Sequence, residues 1–321
     1  MSGSITDVPG IRVGHYTDLK NRTGCTVILC ENGAIGGIDI RGFAPGTRQV
    51  NSLEPLHPIS RVDAICLAGG GAFGLDAGTG VVKFLKEKKS GFNLLGKIIP
   101  IVPTAVIFDL FFAEEDISPT AEMGYGACIN ASNLPPQEGS VGAGTGATVG
   151  KIFGVKQAMK GGIGTASARF GEVSIGVLAV VNSYGDVINP GGKIIAGARK
   201  APESMEFYDM RKSLGTTEHA NHLQTQNTTL AVVATDAELT KNDAVRLAIM
   251  AQDGIAHAIA PSHTIVDGDV VIAISTGTRT MGTMSIGSIS QELVAESIRR
   301  GIMNADGYGR LPAYRDLKGG K

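Results

Sequence analysis

A layered α/β fold is predicted by three features of this 321-residue sequence. Apolar runs of strand length alternate with segments whose apolar residues recur at helical spacing, the pattern of strands and helices stacked in layers. Hydrophobic residues make up 43% and charged residues 18%, enough to bury a sizeable core. Glycine, with 45 residues, runs at about twice its ordinary usage, which implies many tight turns and close backbone approaches.

Strands are expected at 25–31 (CTVILCE), 35–42 (IGGIDIRG), 63–69 (DAICLAG), 173–182 (VSIGVLAVVN), 228–235 (TTLAVVAT) and 269–276 (DVVIAIST). Helices are expected after Phe73, near Thr120, at Thr240 and at Ser290. In the helix after Thr240, Val245, Ala248, Ile249, Ile255 and Ile259 keep a helical spacing and mark one apolar face for a sheet. The polar stretch from Lys200 to Gln226 reads as a linker, and the chain shows no internal repeat.

Several function classes fall away. The formal net charge is -1 with no basic stripe, so nucleic acid is not expected as a partner. Cys25, Cys30, Cys66 and Cys128 have no C-x-x-C spacing and read as free core thiols in a reducing compartment. The first residues show neither a charged nor an apolar leader region, and the apolar run Ile98 to Phe112 is too short and too interrupted to span a bilayer. A cytoplasmic protein with no membrane partner is therefore expected.

Two glycine-rich motifs invite a nucleotide. Gly69 to Gly74 (GGGAFG) satisfies G-x-G-x-x-G between a strand and a helix, and would make the chain an NAD(P)-binding oxidoreductase. No acidic residue follows at the required distance, and a packing turn or a backbone oxyanion donor is the other reading. Gly142 to Lys151 (GAGTGATVGK) ends like a phosphate loop, but Thr145 stands where its first glycine belongs and Ile152 where magnesium needs a hydroxyl. Lys151 is then either a desolvated lysine aimed at a site or a solvated loop residue. The six histidines have no metal-ligand spacing, so no metal is expected. His219 and His222 read as solvated, and His257 and His263 as structural.

Without a histidine base, a threonine hydroxyl can still be activated by its own α-amine, whose pKa of about 7.7–8.0 suits neutral pH. That chemistry requires the threonine to be first in its chain. In QNTTLAVVAT, Thr228 opens a core strand behind a polar segment, and its hydroxyl could attack the Asn227 carbonyl to give an ester that water hydrolyses. The alternative is an ordinary strand start. Asp267 and Asp269, at i and i+2, share a face if extended. Two such carboxylates raise each other's pKa unless a cation, Lys151 or the new α-ammonium, holds them ionised.

These motifs resemble the L-aminopeptidase/D-esterase (DmpA) family of self-cleaving N-terminal nucleophile hydrolases, nearly end to end. The match includes IRVGHYTD, AICLAGGGAFGLDAGTGV, IPIVPTAVIFDL, VGAGTGATVGK, VLAVVNSYGDV, NTTLAVVATDAELTK and HTIVDGDVVIAISTG. Within the family the chain is most similar to the nylon-oligomer (6-aminohexanoate-oligomer) endo-hydrolase branch. The resemblance implies a single domain with a four-layer αββα sandwich, cut between Asn227 and Thr228 into a 227-residue α fragment and a β fragment of 321 − 227 = 94 residues. It implies Thr228 as nucleophile, Lys151, Asp267 and Asp269 as the charged network around it, and Asn182 as oxyanion donor. Phe108 falls where some relatives carry a substrate-facing tyrosine, and Gly70 and Gly71 fall beside the substrate. No cofactor is implied. The αβ units would assemble as homo-oligomers, commonly tetramers. Substrates would be aminohexanoate oligomers or other linear amides, or, for an aminopeptidase/D-esterase or a β-peptidyl aminopeptidase, short peptides, β-peptides and D-amino-acid esters. An uncut, non-enzymatic binding protein is the rival from another class.

Overall fold

In the computed structural model, residues 3–112, 117–213 and 227–318 are described. The first third holds Ile11–Asp18 (β1), Thr23–Gly42 (β2), Gly46–Arg48 (β3), Arg61–Ala68 (β4), Ala77–Glu87 (α1), Phe92–Leu94 (β5), Lys97–Ile99 (β6) and Thr104–Val106 (β7). Next come Ala121–Ile129 (α2), Thr148–Val149 (β8), Met159–Lys160 (β9), Gly162–Phe170 (β10), Val173–Asn182 (β11), Asp186–Ile188 (β12), Ile194–Ala196 (β13) and the single turn Met210–Ser213 (α3). The last third holds Thr228–Ala237 (β14), Lys241–Ala258 (α4), Ile259–Ala260 (β15), Gly268–Arg279 (β16) and Thr283–Met303 (α5).

Nine strands form one continuous sheet in the order β10-β11-β14-β16-β2-β4-β7-β3, with β1 on β2. The twenty-residue β2 serves both halves. Its Cys25–Leu29 stretch pairs with β4, and its Ile35–Gly42 stretch pairs with β16. The sequence separates these into two strands at Asn32-Gly33, a dipeptide that ordinarily turns a hairpin. Here the register shifts and Gly33 takes φ +76°, yet the strand continues because each half finds its own partners.

Alternation along the strands builds three apolar interlayers. Ala231 and Val233 of β14 face Leu247, Ala251 and Leu293 of α4 and α5, while Leu230 and Val232 join Ile65 and Leu67 of β4 between the two sheet halves. On the far side, Ala64 and Cys66 of β4 meet Val81, Leu85 and Ala127 of α1 and α2. Three interlayers separate four layers, helix–sheet–sheet–helix, as the αββα expectation requires.

The differences from expectation have physical causes. The buried face of α4 runs through Ala244, Leu247, Ala248, Ala251, Ile255 and Ala258, leaving Ile249 41% exposed, and Ile259 already belongs to β15. Small residues line that face because α5 crosses it closely: a Cβ on Gly254 would collide with the Gln291 carbonyl. Helix α5 starts at Thr283 rather than Ser290. Strand β10 (GIGTASARF) was not expected, since its small residues carry little apolar signal; they are small because a Cβ on Gly164 would collide with the Ser297 carbonyl of α5. The four cysteines are free and buried. Of the expected linker, residues 214–226, with His219 and His222, lie outside the described residues. Among the described residues no helix is long and apolar enough to cross a membrane.

Candidate active site

Thr228 is the first residue of β14 and pairs with Asn182, the last of β11, in an antiparallel register. Residues directly opposite on one face have Cβ atoms about 5 Å apart, so the two side chains are neighbours. Both share the alternation phase of Leu230 and Leu178, which face the interlayer between the sheet halves. Thr228 is 3% exposed. Its Oγ1 donates to the Asn227 carbonyl oxygen at 2.5 Å, and the Gly268 N–H donates to the same oxygen at 2.8 Å.

Lys151 follows Gly150, which takes φ +74° and packs so tightly that a Cβ there would collide with the Ala198 nitrogen. The ammonium is buried and donates to Asn182 Oδ1 at 2.9 Å and to the Asn182 carbonyl at 3.0 Å. Burial pushes Lys151 down to about 7, against the opposing pull of the Asp267 and Asp109 carboxylates. The Thr148 N–H also donates to Asn182 Oδ1, at 3.0 Å. With two donors on its oxygen, the amide orientation is determined by its surroundings. Asn182 Nδ2 donates one hydrogen to the Phe108 carbonyl at 3.1 Å, and its second N–H has no partner among the described residues.

Asp267 and Asp269 bond backbone near Thr228 and Asn182 rather than the Thr228 hydroxyl. Asp269 Oδ1 accepts from the Thr229 N–H at 2.6 Å and Asp267 Oδ1 from the Tyr184 N–H at 3.1 Å. Among the described residues neither carboxylate hydrogen-bonds Thr228 Oγ1 or Lys151. Each holds the backbone next to a site residue. Their other oxygens are clamped by consecutive loop residues: Thr264 on Asp267, and His263 Nδ1 on Asp269 Oδ2 at 2.8 Å. Burial, then the neighbouring Asp269 charge, raises Asp267.

A cleft of ≈230 Å³ opens over Thr228, lined by Ala44, Pro45, Gly46, Gly71, Ala72, Val106 and Phe108. Gly71 takes φ +55°, and a Cβ there would press on the Phe108 ring at 2.9 Å. Gly70 lies one residue outside the lining. Its N–H is bound to Asp109 Oδ1 at 2.6 Å, and that of Gly71 to the Ile107 carbonyl at 2.9 Å. Neither is free as an oxyanion donor or to cradle a pyrophosphate. A Cβ on Gly74 would collide with the Gly69 carbonyl, so GGGAFG serves as a packing turn. Among the described residues no group of three or more His, Cys, Asp and Glu could hold a metal ion.

Three residues near the site escape a reading of the sequence. His263 reads as structural in the sequence, although it lies six residues before Asp269. Asp109 (2% exposed) is the lone acid in an apolar run, where it counted only against a membrane span. Lys160 is fully buried, its Nζ donating to the carbonyls of Gly144, Ala147 and Gly161.

A protein of Mycobacterium tuberculosis (strain ATCC 25618 / H37Rv), named as an uncharacterized aminopeptidase, is 38% identical over 348 aligned residues covering 98% of this chain and 97% of that protein. The 6-aminohexanoate-oligomer endohydrolase of Paenarthrobacter ureafaciens is 27% identical over 91% of this chain and 84% of its own length. The solved structure of the L-aminopeptidase D-Ala-esterase/amidase from Ochrobactrum anthropi, described as a variant of the Ntn hydrolase fold, matches with a TM-score of 0.71 at 19% identity, covering 98% of this chain and 91% of that one. The profile of peptidase family S58 matches residues 3–306, and the chain belongs to that family, a hydrolase of the L-aminopeptidase/D-esterase (DmpA) type.

Proposed function

We propose that the chain cuts itself between Asn227 and Thr228 and then hydrolyses amides with Thr228 as its N-terminal nucleophile. The observation that carries this reading is the Thr228 hydroxyl 2.5 Å from the Asn227 carbonyl oxygen, which the Gly268 N–H already polarises. In the uncut chain the Thr228 nitrogen is a peptide nitrogen and no base. Attack of Oγ1 on the Asn227 carbonyl carbon transfers the acyl group from nitrogen to oxygen, and the nitrogen leaves as an amine carrying the hydroxyl proton. Water then hydrolyses the ester, giving an Asn227 carboxylate and a free α-amine on Thr228. That amine takes the Oγ1 proton in each later turnover, Oγ1 attacks the substrate carbonyl, and the second Asn182 N–H stabilises the oxyanion. Lys151 keeps the Asn182 amide turned so that Nδ2 points to the carbonyl of Phe108, a residue of the cleft wall. The fragments remain together because β14 lies between β11 and β16 in the middle of the sheet; assembly of these αβ units into homo-oligomers belongs to the same reading.

No charged side chain lines the described cleft, and its side chains other than Thr228 are small or apolar, which suits an amide whose acyl part is an unbranched apolar segment, as in 6-aminohexanoate oligomers. The second reading, an aminopeptidase for short peptides, is favoured by the name of the 38%-identical mycobacterial protein. The two differ in whether an ammonium must sit beside the scissile bond. Intact mass with N-terminal sequencing tests the maturation: a fragment starting Thr-Thr-Leu-Ala-Val is expected, and a chain that stays whole on long incubation refutes it. Linear aminohexanoate oligomers assayed beside aminoacyl-p-nitroanilides separate the substrate classes.

A further inference from the structure

Both glycine-rich motifs converge on one buried carboxylate that the proposed mechanism does not use. Asp109 Oδ1 accepts from the Gly70 N–H at 2.6 Å, and Oδ2 accepts from Thr23 Oγ1 at 2.9 Å. A Cβ on Gly69, in the first motif, would collide with Oδ2, and so would a Cβ on Gly146, in the second. The second motif is itself anchored from below, by Lys160 on the carbonyls of Gly144 and Ala147. Glycines that read as a cradle for phosphate thus form a socket for a side chain.

What the socket holds still is the Phe108 peptide. The preceding residue is tied both to the end of β4 and to the first motif, Ile107 N–H to the Ala68 carbonyl at 2.8 Å and Gly71 N–H to the Ile107 carbonyl at 2.9 Å. Asp109 ties the residue that follows. Between these anchors the Phe108 carbonyl accepts from Asn182 Nδ2 at 3.1 Å. The amide's oxygen end is determined by Lys151 and Thr148, and its nitrogen end by Phe108.

We infer that Asp109 is a positioning residue for the reaction: seated in the paired glycine loops, it fixes the Phe108 carbonyl and thereby aims the remaining Asn182 N–H at the oxyanion. This rests on the reading of Thr228 as nucleophile and Asn182 as oxyanion donor. A carboxylate is otherwise a poor choice at this place, because burial without a hydrogen-bonded cation destabilises its charged form. Lys160 and Lys151 are the cations whose charge reaches it.

The test is a double-mutant cycle on the full-length, self-processing protein, reading the self-cleavage half-time and kcat and KM on a linear 6-aminohexanoate oligomer or the panel amide that turns over fastest. Asp109→Asn keeps the shape and an acceptor for Gly70 but loses the charge. It is expected to lower kcat about tenfold, since small misplacements of a catalytic group are costly, with KM changed less than about twofold. In the Asn182→Ala background the same substitution is expected to cost nothing further. Wild-type kcat in Asp109→Asn, or an equal loss in both backgrounds, overturns the inference, the latter marking a general structural role. An Asn182→Ala protein of undiminished kcat overturns the oxyanion role beneath it as well. Should Asp109→Asn fail to fold, Thr23→Val removes one donor to the same carboxylate. A smaller loss, again absent in the Asn182→Ala background, supports the inference, and one that multiplies with Asn182→Ala overturns it.

Discussion

Asn182 and Thr228 close the ladder between β11 and β14 as its terminal pair, opposite each other and on the same face. The proposed nucleophile and the proposed oxyanion donor are thereby placed by strand register alone, on two core strands rather than on loops. Sites built on strands hold their geometry better than sites on loops. The pairing also explains why a polar pair can end two buried strands: Asn182 is fully buried with both ends of its amide bonded, and Thr228 bonds the carbonyl before it.

Thr228→Ala is expected to leave a single full-length chain with no hydrolase activity, seen as one band on a denaturing gel. Thr228→Ser keeps the hydroxyl and is expected to mature. A cleaved Thr228→Ala protein would move the nucleophile elsewhere.

Asn182→Ala removes the oxyanion donor and is expected to lower kcat on the order of 100-fold or more. Asn182→Asp is expected to be worse than Asn182→Ala, because its carboxylate would pair with Lys151 and repel the oxyanion. Steady-state kinetics on matured protein decide this; an Asp variant more active than the Ala variant contradicts the donor role.

How far these roles can be read from the sequence depends on where each residue's partners lie along the chain. Strand β11 matches its expected span because a strand buried on both faces is one continuous apolar run. The Thr228 strand is legible for the same reason, as are the Asn227 and Thr228 positions that open it. Asp267 and Asp269 are legible as a pair, but their hydrogen-bond partners are not: the fold sets them on the N–H groups of Thr229 and Tyr184, far away in the sequence. Asp109 was illegible because its partners Gly70 and Thr23 lie 39 and 86 residues away. No local pattern announces a socket assembled from two distant glycine loops.

Lys160 predicts a pH dependence of stability. Burial lowers it from 10.5 to about 7. Between about pH 7 and 10.5 the unfolded chain therefore binds more protons than the folded one at this residue, so its contribution to stability rises with pH across that window. Below about pH 7 both states are protonated and the contribution is flat. Lys160→Met is expected to lower stability overall, by leaving carbonyls unpaired, and to flatten the rise between pH 7 and 10. Thermal melts at stepped pH measure the slope, and an unchanged slope in the variant rules out this lysine as its source.

His263 offers the last prediction. Its Nδ1 and its backbone N–H, at 2.8 and 3.2 Å, both serve Asp269 Oδ2, while Asp269 Oδ1 holds the Thr229 N–H one residue past Thr228. The imidazole side chain is 22% exposed and Asp269 only 2%, so His263 is the solvent-facing end of this short chain of bonds. Removing it leaves a buried carboxylate short of a donor and loosens the first peptide of β14. His263→Ala is expected to slow self-cleavage about tenfold, a loss in the range of one charge-assisted hydrogen bond. His263→Asn puts a neutral N–H near the Nδ1 position and is expected to recover much of the rate. Added imidazole is expected to rescue the Ala variant through the space it leaves. Timed gels read all three effects, and an Ala variant that matures at the wild-type rate would make His263 a bystander.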